Sequence, residues 1–355
     1  MTGASPDLAY RGWGATGFVA AAAVAELLAA HLGLSLIVEG AIVAAAVLTF
    51  LSLAWVTTVL TGRETIVYYH HEIAVLAVSA GVAALAGAPV LAHLDVTALG
   101  LGTFLAFGRL GCLQAGCCHG RPWRHGVRYG DAHVRAGFPA YLRDVALFPV
   151  QLLESAAVAA IVAVGALVLL NADHPGRAFA FYVSAYAVIR FALEEMRGDV
   201  ARRHVAGLSV PQWTSLVLLC AGGVAGRLGL VPGAAAWLAL LVAVAELAIV
   251  TGLRRRRAGL LTPGHVRELT RTATELRGPA VPGAPPVVRT AGPVRVSAGR
   301  TAGRLHVSVS GDGVRLRAGQ ARRVAEVIAG SDARGRPHVI PGQASGSTFH
   351  VLFDP

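Results

Sequence analysis

The sequence predicts an all-α polytopic membrane protein with 7–8 transmembrane helices, followed by a small C-terminal soluble α+β domain. Of its 355 residues, 55% are hydrophobic and only 14% are charged, whereas about a quarter are charged in an ordinary soluble protein. The first 253 residues hold 14 Arg and 14 Asp or Glu, and the last 102 hold 17 Arg and 6 acidic residues, so the tail carries the entire net charge of +11. A neutral apolar body with a basic tail excludes a soluble enzyme, a disordered chain and a small disulfide scaffold.

Eight apolar stretches are long enough to cross a bilayer, which takes about 20 mostly apolar residues. They cover residues 13–32, 37–60, 67–92, 96–116, 148–170, 178–197, 208–227 and 233–253. Arg11 precedes a long alanine-rich stretch rather than a short signal-peptide core, so we expect the first helix to be retained. Residues 1–253 are therefore predicted to form one helical membrane domain.

The segments outside the spans are predicted to have three different roles. Residues 117–147, with five arginines and three histidines, are the longest connection in the body and are predicted to form a polar head or loop. Residues 254–293 begin with four consecutive arginines and continue into a stretch rich in Pro and Gly, which indicates a basic linker. Residues 294–355 are predicted to be the small soluble α+β domain.

The pattern of the tail predicts three strands and one helix. Arg304–Ser310 alternates like a strand, and Gly311-Asp312-Gly313 favours a turn from which Val314–Arg317 would pair back as a hairpin. Gln320–Ala329 is predicted to be helical, and Thr348–Phe353 to be a closing strand. No catalytic set of residues is visible in this part of the sequence.

Polar side chains inside the spans mark a functional site by default, because they are costly in a bilayer. Those near one end of five spans are His70, His71, Arg109, Gln151, Glu154, Arg190, Glu194, Arg197 and Gln212. Gln151 and Glu154 are three residues apart, and Arg190 and Glu194 are four apart, so each pair shares a helix face. An isolated ion pair would explain either pair, but the convergence of five spans predicts an arginine-rich cavity at one membrane face.

Arginine side chains suit the oxygens of phosphates and phosphodiesters. Inside a bilayer, the anion that such a cavity most naturally binds is a phospholipid headgroup, and a neighbouring carboxylate or imidazole could move a proton. The residues therefore predict a lipid-processing or lipid-moving protein. Glu26, Glu39 and Glu246 stand alone near span ends, and we expect them to be helix-end carboxylates.

Four motifs, taken in order, resemble the prolipoprotein diacylglyceryl transferases of bacterial inner membranes. The family pattern G-R-x-G-N-F-x-N-G-E-x-x-G-R is similar to residues 108–121, which read GRLGCLQAGCCHGR. The family's H-P-S-Q-L-Y-E is similar to FPVQLLE at 148–154, and its R-x-x-x-E-F-x-R to RFALEEMR at 190–197. Its S-M-G-Q is similar to SVPQ at 209–212. The resemblance runs from about the third span through the seventh, and the order and spacing of the motifs make it specific.

The resemblance implies transfer of a diacylglyceryl group from phosphatidylglycerol, or another anionic phospholipid, to the thiol of a lipobox cysteine in a preprotein, with release of glycerol phosphate. It implies that Arg109 and Arg190 hold the phosphate and that Glu154 and Glu194 orient them. The family's essential histidine aligns with His70, with His71 as the alternate, as general base. The remaining residues expected to bind substrate are Arg121, Gln151, Arg197 and Gln212. A multi-pass protein of the bacterial plasma membrane is expected, without a metal or cofactor and without nucleic acid as a partner.

Several family positions differ here. The first histidine of H-P-S-Q is Phe148, the Asn of G-R-x-G-N is Cys112, and the Glu of N-G-E is Cys117. These differences leave open an alternative, a non-catalytic phospholipid-binding protein that keeps the headgroup site. A small-solute transporter is a weaker alternative, because the inverted repeats expected of one are not apparent.

The cysteines allow more than one interpretation. Cys112, Cys117, Cys118 and His119 form C-x4-C-C-H. A structural role or a disulfide is favoured, with a reactive thiol or a soft metal site as alternatives. Because Cys117 and Cys118 are adjacent, they are expected to be difficult to direct at one ion. Cys220, alone in an apolar span, is predicted to pack in the core.

The orientation of the tail is left open by the sequence. The Arg254–Arg257 run favours the cytoplasm, whereas the resemblance implies that the arginine-bearing helix ends face outward. With eight spans these two placements conflict. A smaller span count, an inverted orientation, or a 208–253 segment that does not cross twice would each remove the conflict.

Overall fold

The structure is a computed structural model that describes most of the chain. The described residues are 6–62, 68–139, 142–171, 173–198, 204–257, 261, 263–276, 285–290, 292–301, 303–330, 334–342 and 347–354. They form two compact units. The first unit contains Met1–Gly120, Phe148–Arg197 and Pro211–Val244, and the second contains Arg121–Leu147, Gly198–Val210 and Ala245–Pro355.

Long helices dominate the first half of the chain, interrupted by one short strand and one short helix. In order, these elements are α1 (Pro6–His31), α2 (Leu36–Thr61), α3 (Tyr68–Leu85), α4 (Val90–Ala115), β1 (Pro122–Val127), α5 (Asp131–Arg135), α6 (Val150–Leu170) and α7 (Arg177–Leu193). The rest of the chain contributes β2 (His204–Val205), β3 (Leu208–Ser209), α8 (Val210–Arg227), α9 (Ala234–Arg257), α10 (Pro263–Leu276), β4 (Val288–Arg289), β5 (Val294–Thr301), β6 (Arg304–Gly311), α11 (Ala318–Ala329), β7 (Arg334–Pro341) and β8 (Thr348–Asp354).

The prediction of a multi-pass helical protein is confirmed at the level of five helices. Within the described residues, the helices long and apolar enough to cross a membrane are α1, α2, α4, α6 and α9. The other predicted spans correspond to α3, α7 and α8, which are shorter or less apolar. These three helices carry many of the polar residues singled out in the sequence, and polar residues lower the mean hydropathy of a helix.

Helix α4 is the centre of the first unit and packs against α1, α3, α6 and α7. Gly102 allows the closest of these approaches. A Cβ atom at this position would lie 2.5 Å from Val162 on α6 and 2.6 Å from Tyr182 on α7. Small residues let helices approach closely in membrane bundles, so Gly102 brings three helices together.

Asp95 fixes the register between α4 and α7. Its carboxylate accepts hydrogen bonds from the backbone N–H groups of Gly176, at 2.6 Å, and Phe179, at 2.7 Å. These donors belong to the start of α7, where a helix leaves its N–H groups without intrahelical partners. The same number of residues separates Asp95 from Arg109 and Gly176 from Arg190. The two helices therefore run in the same direction, and Arg109 and Arg190 lie at the same height along the helix axes.

Glu39 lies at a helix end, as expected, but it is buried and paired rather than alone. Its side chain is fully buried, and Oε2 lies 2.7 Å from Nδ1 of His93. Glu39 is in the first turn of α2 and His93 in the first turn of α4. Because burying a polar group without a partner is costly, each side chain gains from the one contact that the other provides.

In the second unit, the segment after α4 has a small core of its own. The backbone N–H of Trp123 donates to the Ala146 carbonyl at 2.8 Å, and Val127 pairs with Leu147 across an antiparallel bridge. The buried side chains beneath these contacts are Tyr129, Phe138, Leu142 and Leu147. The arginine-rich segment thus includes ordered structure held by apolar packing.

The C-terminal part of the second unit contains an antiparallel sheet with the strand order β4-β5-β6-β8-β7. The alternation seen in the sequence is real, since Leu305, Val307 and Val309 face a core that α10 and α11 complete. The predicted hairpin strand at Val314–Arg317 is wrong. The turn at residues 311–313 leads into α11, and β6 pairs with β5 and β8 instead.

Candidate functional site

Glu154 on α6 is the centre of a buried charged cluster in the first unit. Its Oε2 lies 3.0 Å from Nε of Arg109 on α4, and its Oε1 lies 3.7 Å from Nε of Arg190 on α7. Glu154 is 0% exposed, Arg109 7% and Arg190 4%. The sequence predicted that these three residues share a site, and the structure places them together.

Helix α7 presents one polar face to this cluster. Tyr182, Tyr186 and Arg190 recur at every fourth position and lie on one side of the helix, and Glu194 continues this spacing in the short 3-10 turn that follows α7. The Tyr186 hydroxyl donates to Oε1 of Glu154 at 3.1 Å, and Nη1 of Arg190 lies 3.0 Å from Oε2 of Glu194. The Arg190–Glu194 ion pair is therefore real, but Arg190 also belongs to the wider cluster.

Three tyrosines extend the cluster and were missed in the sequence. Besides Tyr186, the Tyr182 hydroxyl donates to Oε1 of Glu72 at 2.9 Å, and the Tyr69 hydroxyl lies 3.0 Å from Oγ of Ser215. The four-residue spacing ahead of Arg190 could have identified Tyr182 and Tyr186. No spacing signal relates Tyr69 to Ser215, because the two residues are far apart in the sequence.

The two histidines of α3 have different surroundings. His71 is buried, and its ring centroid lies 4.6 Å from that of Phe50. His70 is exposed in the first turn of the helix. Of the two histidines proposed as general base, the buried one is therefore His71, the alternate.

The two predicted glutamines bind the ends of neighbouring segments. Nε2 of Gln151 donates to the Cys117 carbonyl at 2.8 Å, which ties the start of α6 to the turn after α4. Nε2 of Gln212 donates to Oε1 of Glu195 at 2.7 Å. Arg197 is buried, and its backbone forms an antiparallel bridge with Gly120. Arg121, by contrast, begins the second unit.

The turn after α4 brings three thiols together. The sulfur atoms of Cys112, Cys117 and Cys118 all lie within 4.8 Å of one another. Cys117 and Cys118 were expected to be difficult to direct at one ion, but in the structure their sulfur atoms lie close together. Gly116 (φ 77°) and Cys118 (φ 57°) both adopt the left-handed region, which reverses the chain and redirects the side chains.

The arrangement suits the binding of an anion with several oxygens. A guanidinium carries five N–H donors, and the contacts with Glu154 run through the Nε of each arginine. Glu154 therefore orients both guanidinium groups from one side. Such buried, charge-assisted donors bind phosphate more strongly than neutral donors do.

A family model described as prolipoprotein diacylglyceryl transferase matches residues 15–226 of the chain. The chain belongs to this family. The match includes the helices that carry Arg109, Glu154 and Arg190, and it ends just before α8 does. The relationship implied by the sequence motifs is therefore confirmed.

Three curated relatives are similar to part of this chain. A phosphatidylglycerol–prolipoprotein diacylglyceryl transferase of Clostridium tetani is 32% identical over 135 residues, which are 38% of this chain and 51% of the relative. One named phosphatidylglycerol–prolipoprotein diacylglyceryl transferase 2, from Clostridium perfringens, is 31% identical, over 38% of this chain and 50% of the relative. Another with that name, from Streptomyces coelicolor, is 37% identical, over 39% and 43%. The chain thus spans about half the length of the curated relatives it matches. No solved structure matches it.

One difference from the family's motifs is visible in the geometry. Phe148 stands where the H-P-S-Q pattern has histidine, and it is packed against Gly120, whose Cβ position would lie 2.9 Å from the Phe148 Cβ. This position cannot accept a proton. Any proton transfer in this family member must use another group.

Proposed function

We propose that this chain transfers a diacylglyceryl group from phosphatidylglycerol to the thiol of a lipobox cysteine in a preprotein. The observation that carries the proposal is the buried pairing of Glu154 with both Arg109 and Arg190. Family membership supports it, because the relatives named above are phosphatidylglycerol–prolipoprotein diacylglyceryl transferases. The chemistry of the cluster supports it as well, since two oriented guanidinium groups suit a phosphodiester.

In this proposal, Arg109 and Arg190 hold the lipid phosphate. Glu154 occupies the Nε side of each guanidinium, and Glu194 occupies the Nη1 of Arg190. The remaining terminal N–H groups are proposed to bind phosphate oxygens. The reaction breaks the bond between the diacylglyceryl carbon and the phosphate oxygen, so negative charge grows on the departing glycerol phosphate. Fixed donors that face this growing charge lower the barrier most effectively where water is excluded.

The other predicted residues would position these two arginines or the substrates. Glu194 binds the Nη1 of Arg190, and Gln151 fixes the turn after α4. Arg197, Gln212 and Arg121 are proposed to contact the substrates. His70 and His71 remain the proposed acceptors of the thiol proton, and Phe148 has no part in that step.

The same proposal includes the setting of the enzyme. We propose 7–8 membrane crossings in the bacterial plasma membrane, with α3, α7 and α8 crossing in addition to the five most apolar helices. Phosphatidylglycerol and a lipobox preprotein would be the partners. We also propose a helical transferase domain over residues 1–253 with a polar head at 117–147, and a C-terminal α+β domain over 294–355. The predicted linker over 254–293 contains α10 and β4, which pack with the C-terminal sheet, so only its remaining residues are proposed to act as a linker.

A reconstituted assay tests the proposal. The purified protein would be mixed with phosphatidylglycerol vesicles and a synthetic lipobox peptide, and both the peptide mass and the released glycerol phosphate would be measured. We expect the peptide to gain one diacylglyceryl group, and we expect restored lipidation in a transferase-depleted strain. The Arg109→Ala variant should lose both activities.

A matched control is Arg177→Ala, which removes an exposed arginine at the start of α7. This variant should retain transfer. A stable, membrane-inserted protein that neither modifies the peptide nor restores lipidation would refute the proposal. Equal activity of the Arg109→Ala variant and the parent protein would refute the assigned site.

A further inference from the structure

Three thiols lie directly after the segment that carries Arg109. Cys112 is in the last turn of α4, and Cys117 and Cys118 follow in the turn that leaves the helix. Their sulfur atoms lie within 4.8 Å of one another, and all three are free thiols. Cys112 is buried, Cys118 is half-buried and Cys117 is exposed, so one side of the cluster is accessible.

The spacing of the sulfur atoms fits a metal site. Tetrahedral zinc with Zn–S bonds of about 2.3 Å places neighbouring sulfur atoms roughly 3.8 Å apart. The upper limit of 4.8 Å on the distances between the three sulfur atoms is about 1 Å above that value. A disulfide would use two of the thiols and leave the third without a role, whereas one cation uses all three.

The three cysteines would leave one coordination position of a tetrahedral metal ion open. Within the part of the chain that the structure describes, no fourth histidine, cysteine or carboxylate joins the group. His119 follows directly, but its Nδ1 lies 3.0 Å from the Gly120 carbonyl oxygen. Structural zinc sites are closed by four protein ligands, whereas catalytic sites keep three and leave one position for water or substrate.

We infer that Cys112, Cys117 and Cys118 bind one zinc(II) ion as thiolates, and that its open position takes the thiol of the acceptor cysteine. This inference rests on the proposed function, because the lipobox cysteine is the acceptor in that reaction. Zinc deprotonates a thiol that coordinates it, and metal coordination is one of the ways to activate a nucleophile. The ion would thus promote loss of the proton from the acceptor thiol, a proton that Phe148 cannot accept.

The cluster is fixed beside the proposed phosphate site. Cys112 follows Arg109 by about one helical turn. Gln151 binds the Cys117 carbonyl and precedes Glu154 by about one turn of α6. The thiols are therefore held by the same two helices that hold Arg109 and Glu154, so an activated acceptor would lie next to the lipid phosphate.

The charges also agree with this assignment. A zinc ion with three thiolates has a net charge of −1, and a bound acceptor thiolate makes it −2. Such charge in apolar surroundings requires nearby cations. Arg109 lies one helical turn before Cys112, and Arg197 pairs through its backbone with Gly120, two residues after Cys118, so both are placed to provide this compensation.

The transfer step balances without an oxidant or reductant. The acceptor thiol coordinates zinc and releases its proton to His70 or His71, the acceptors named in the proposed function. The sulfur electron pair then forms the C–S bond to the diacylglyceryl carbon. The C–O bond to the phosphate breaks, and its electron pair leaves with glycerol phosphate, while the thioether leaves the zinc ion.

Metal binding is measured first, with the full-length protein in detergent under reducing conditions. We expect about one zinc ion per chain, and replacement by cobalt(II) should give the intense sulfur-to-metal charge-transfer absorption of thiolate ligands. Cys117→Ser and Cys118→Ser should lose most of the bound metal. Cys220→Ser, which removes the lone thiol of α8, should keep it. Cys117 is exposed, so its variant tests the site without disturbing the core.

Acceptor binding is measured by a second spectrum. A lipobox peptide should change the visible spectrum of the cobalt protein, and the same peptide with serine in place of cysteine should not. Removal of zinc by a chelator should abolish transfer, and added zinc should restore it. Zinc or cobalt bound equally well by Cys117→Ser would overturn the inference.

Two further outcomes separate this inference from the proposed function. Full transfer activity in a protein that binds neither zinc nor cobalt would overturn the zinc site and leave the transferase proposal standing. A cobalt spectrum that responds to the cysteine peptide, without any release of glycerol phosphate, would overturn the transferase proposal and leave the thiol-binding zinc site standing.

Discussion

Glu154 uses its two carboxylate oxygens for two different arginines. Oε2 lies 3.0 Å from Nε of Arg109, and Oε1 lies 3.7 Å from Nε of Arg190 and accepts a hydrogen bond from Tyr186. One fully buried side chain on α6 therefore connects α4 and α7. The carboxylate has two consequences, because it offsets the charge of two buried guanidinium groups and sets their orientation.

Replacing Glu154 with glutamine should destabilise the protein by about 3–5 kcal/mol, the usual result of removing one partner of a buried ion pair. The amide keeps an acceptor for Tyr186 but leaves Arg109 and Arg190 without a countercharge. The free energy of unfolding in mixed micelles would measure the effect. Glu246→Gln, at an exposed position of α9, is the matched control. Equal stability of the two variants would contradict the assigned pairing.

Arg109→Lys and Arg190→Lys should each lower the transfer rate by about 100- to 1000-fold, the usual effect of losing one donor to a developing oxyanion. Lysine keeps the positive charge but lacks the planar fork that contacts Glu154 and is proposed to bind phosphate. Release of glycerol phosphate under saturating peptide measures the rate. Arg177→Lys should match the parent protein. Full rates in the two buried variants would show that charge alone is sufficient.

The sequence allowed prediction of the residues at the centre of the site because they recur at helical spacing on apolar helices. Arg190 and Glu194, for example, are four residues apart and form the expected ion pair. Helical spacing does not predict contacts between helices that are far apart in the sequence. Glu39 reaches His93, and Tyr69 reaches Ser215, only because α2, α3, α4 and α8 pack in a particular register.

The turn after α4 was mispredicted for a local reason. The three thiols converge because Cys118 takes a positive φ, which side chains other than glycine seldom adopt. Nothing in the sequence around Cys117 and Cys118 indicates that conformation. The tail shows a similar limit, since Val314–Arg317 was expected to extend a hairpin and instead leads into α11.

Asp95→Asn should reduce the transfer rate by about 10- to 100-fold because it shifts Arg190 on α7 relative to Arg109 on α4. Small displacements of groups that act on the substrate are costly. The variant replaces one acceptor of the two N–H groups at the start of α7 with an amide that donates. The value of kcat should fall more than KM changes, because the arginines would still bind lipid but at a shifted level. A variant with unchanged kcat would show that Asp95 does not set the register.

The sheet of the second unit should lose stability as the pH falls below about 6.5, the usual pKa of histidine. His306 lies on β6 with its Nε2 3.0 Å from Nδ1 of His350 on β8. Burial lowers the pKa of His306, and the charge of His350 lowers it further. The unfolded chain therefore takes up a proton at a higher pH than the folded sheet does. As a result, the stability is fully present above the unfolded pKa and decreases as the pH falls toward the folded pKa.

Hydrogen exchange of β6 and β8 in the full-length protein measures this effect, with rates corrected for the intrinsic dependence on pH. Protection of both strands should decrease between about pH 8 and pH 5. His306→Gln should remove most of that decrease, because glutamine does not titrate. His338→Gln, at an exposed position of β7, should leave it in place. Since the folded state must hold two imidazoles against each other, a decrease that survives in His306→Gln would assign the pH dependence to a different pair of groups.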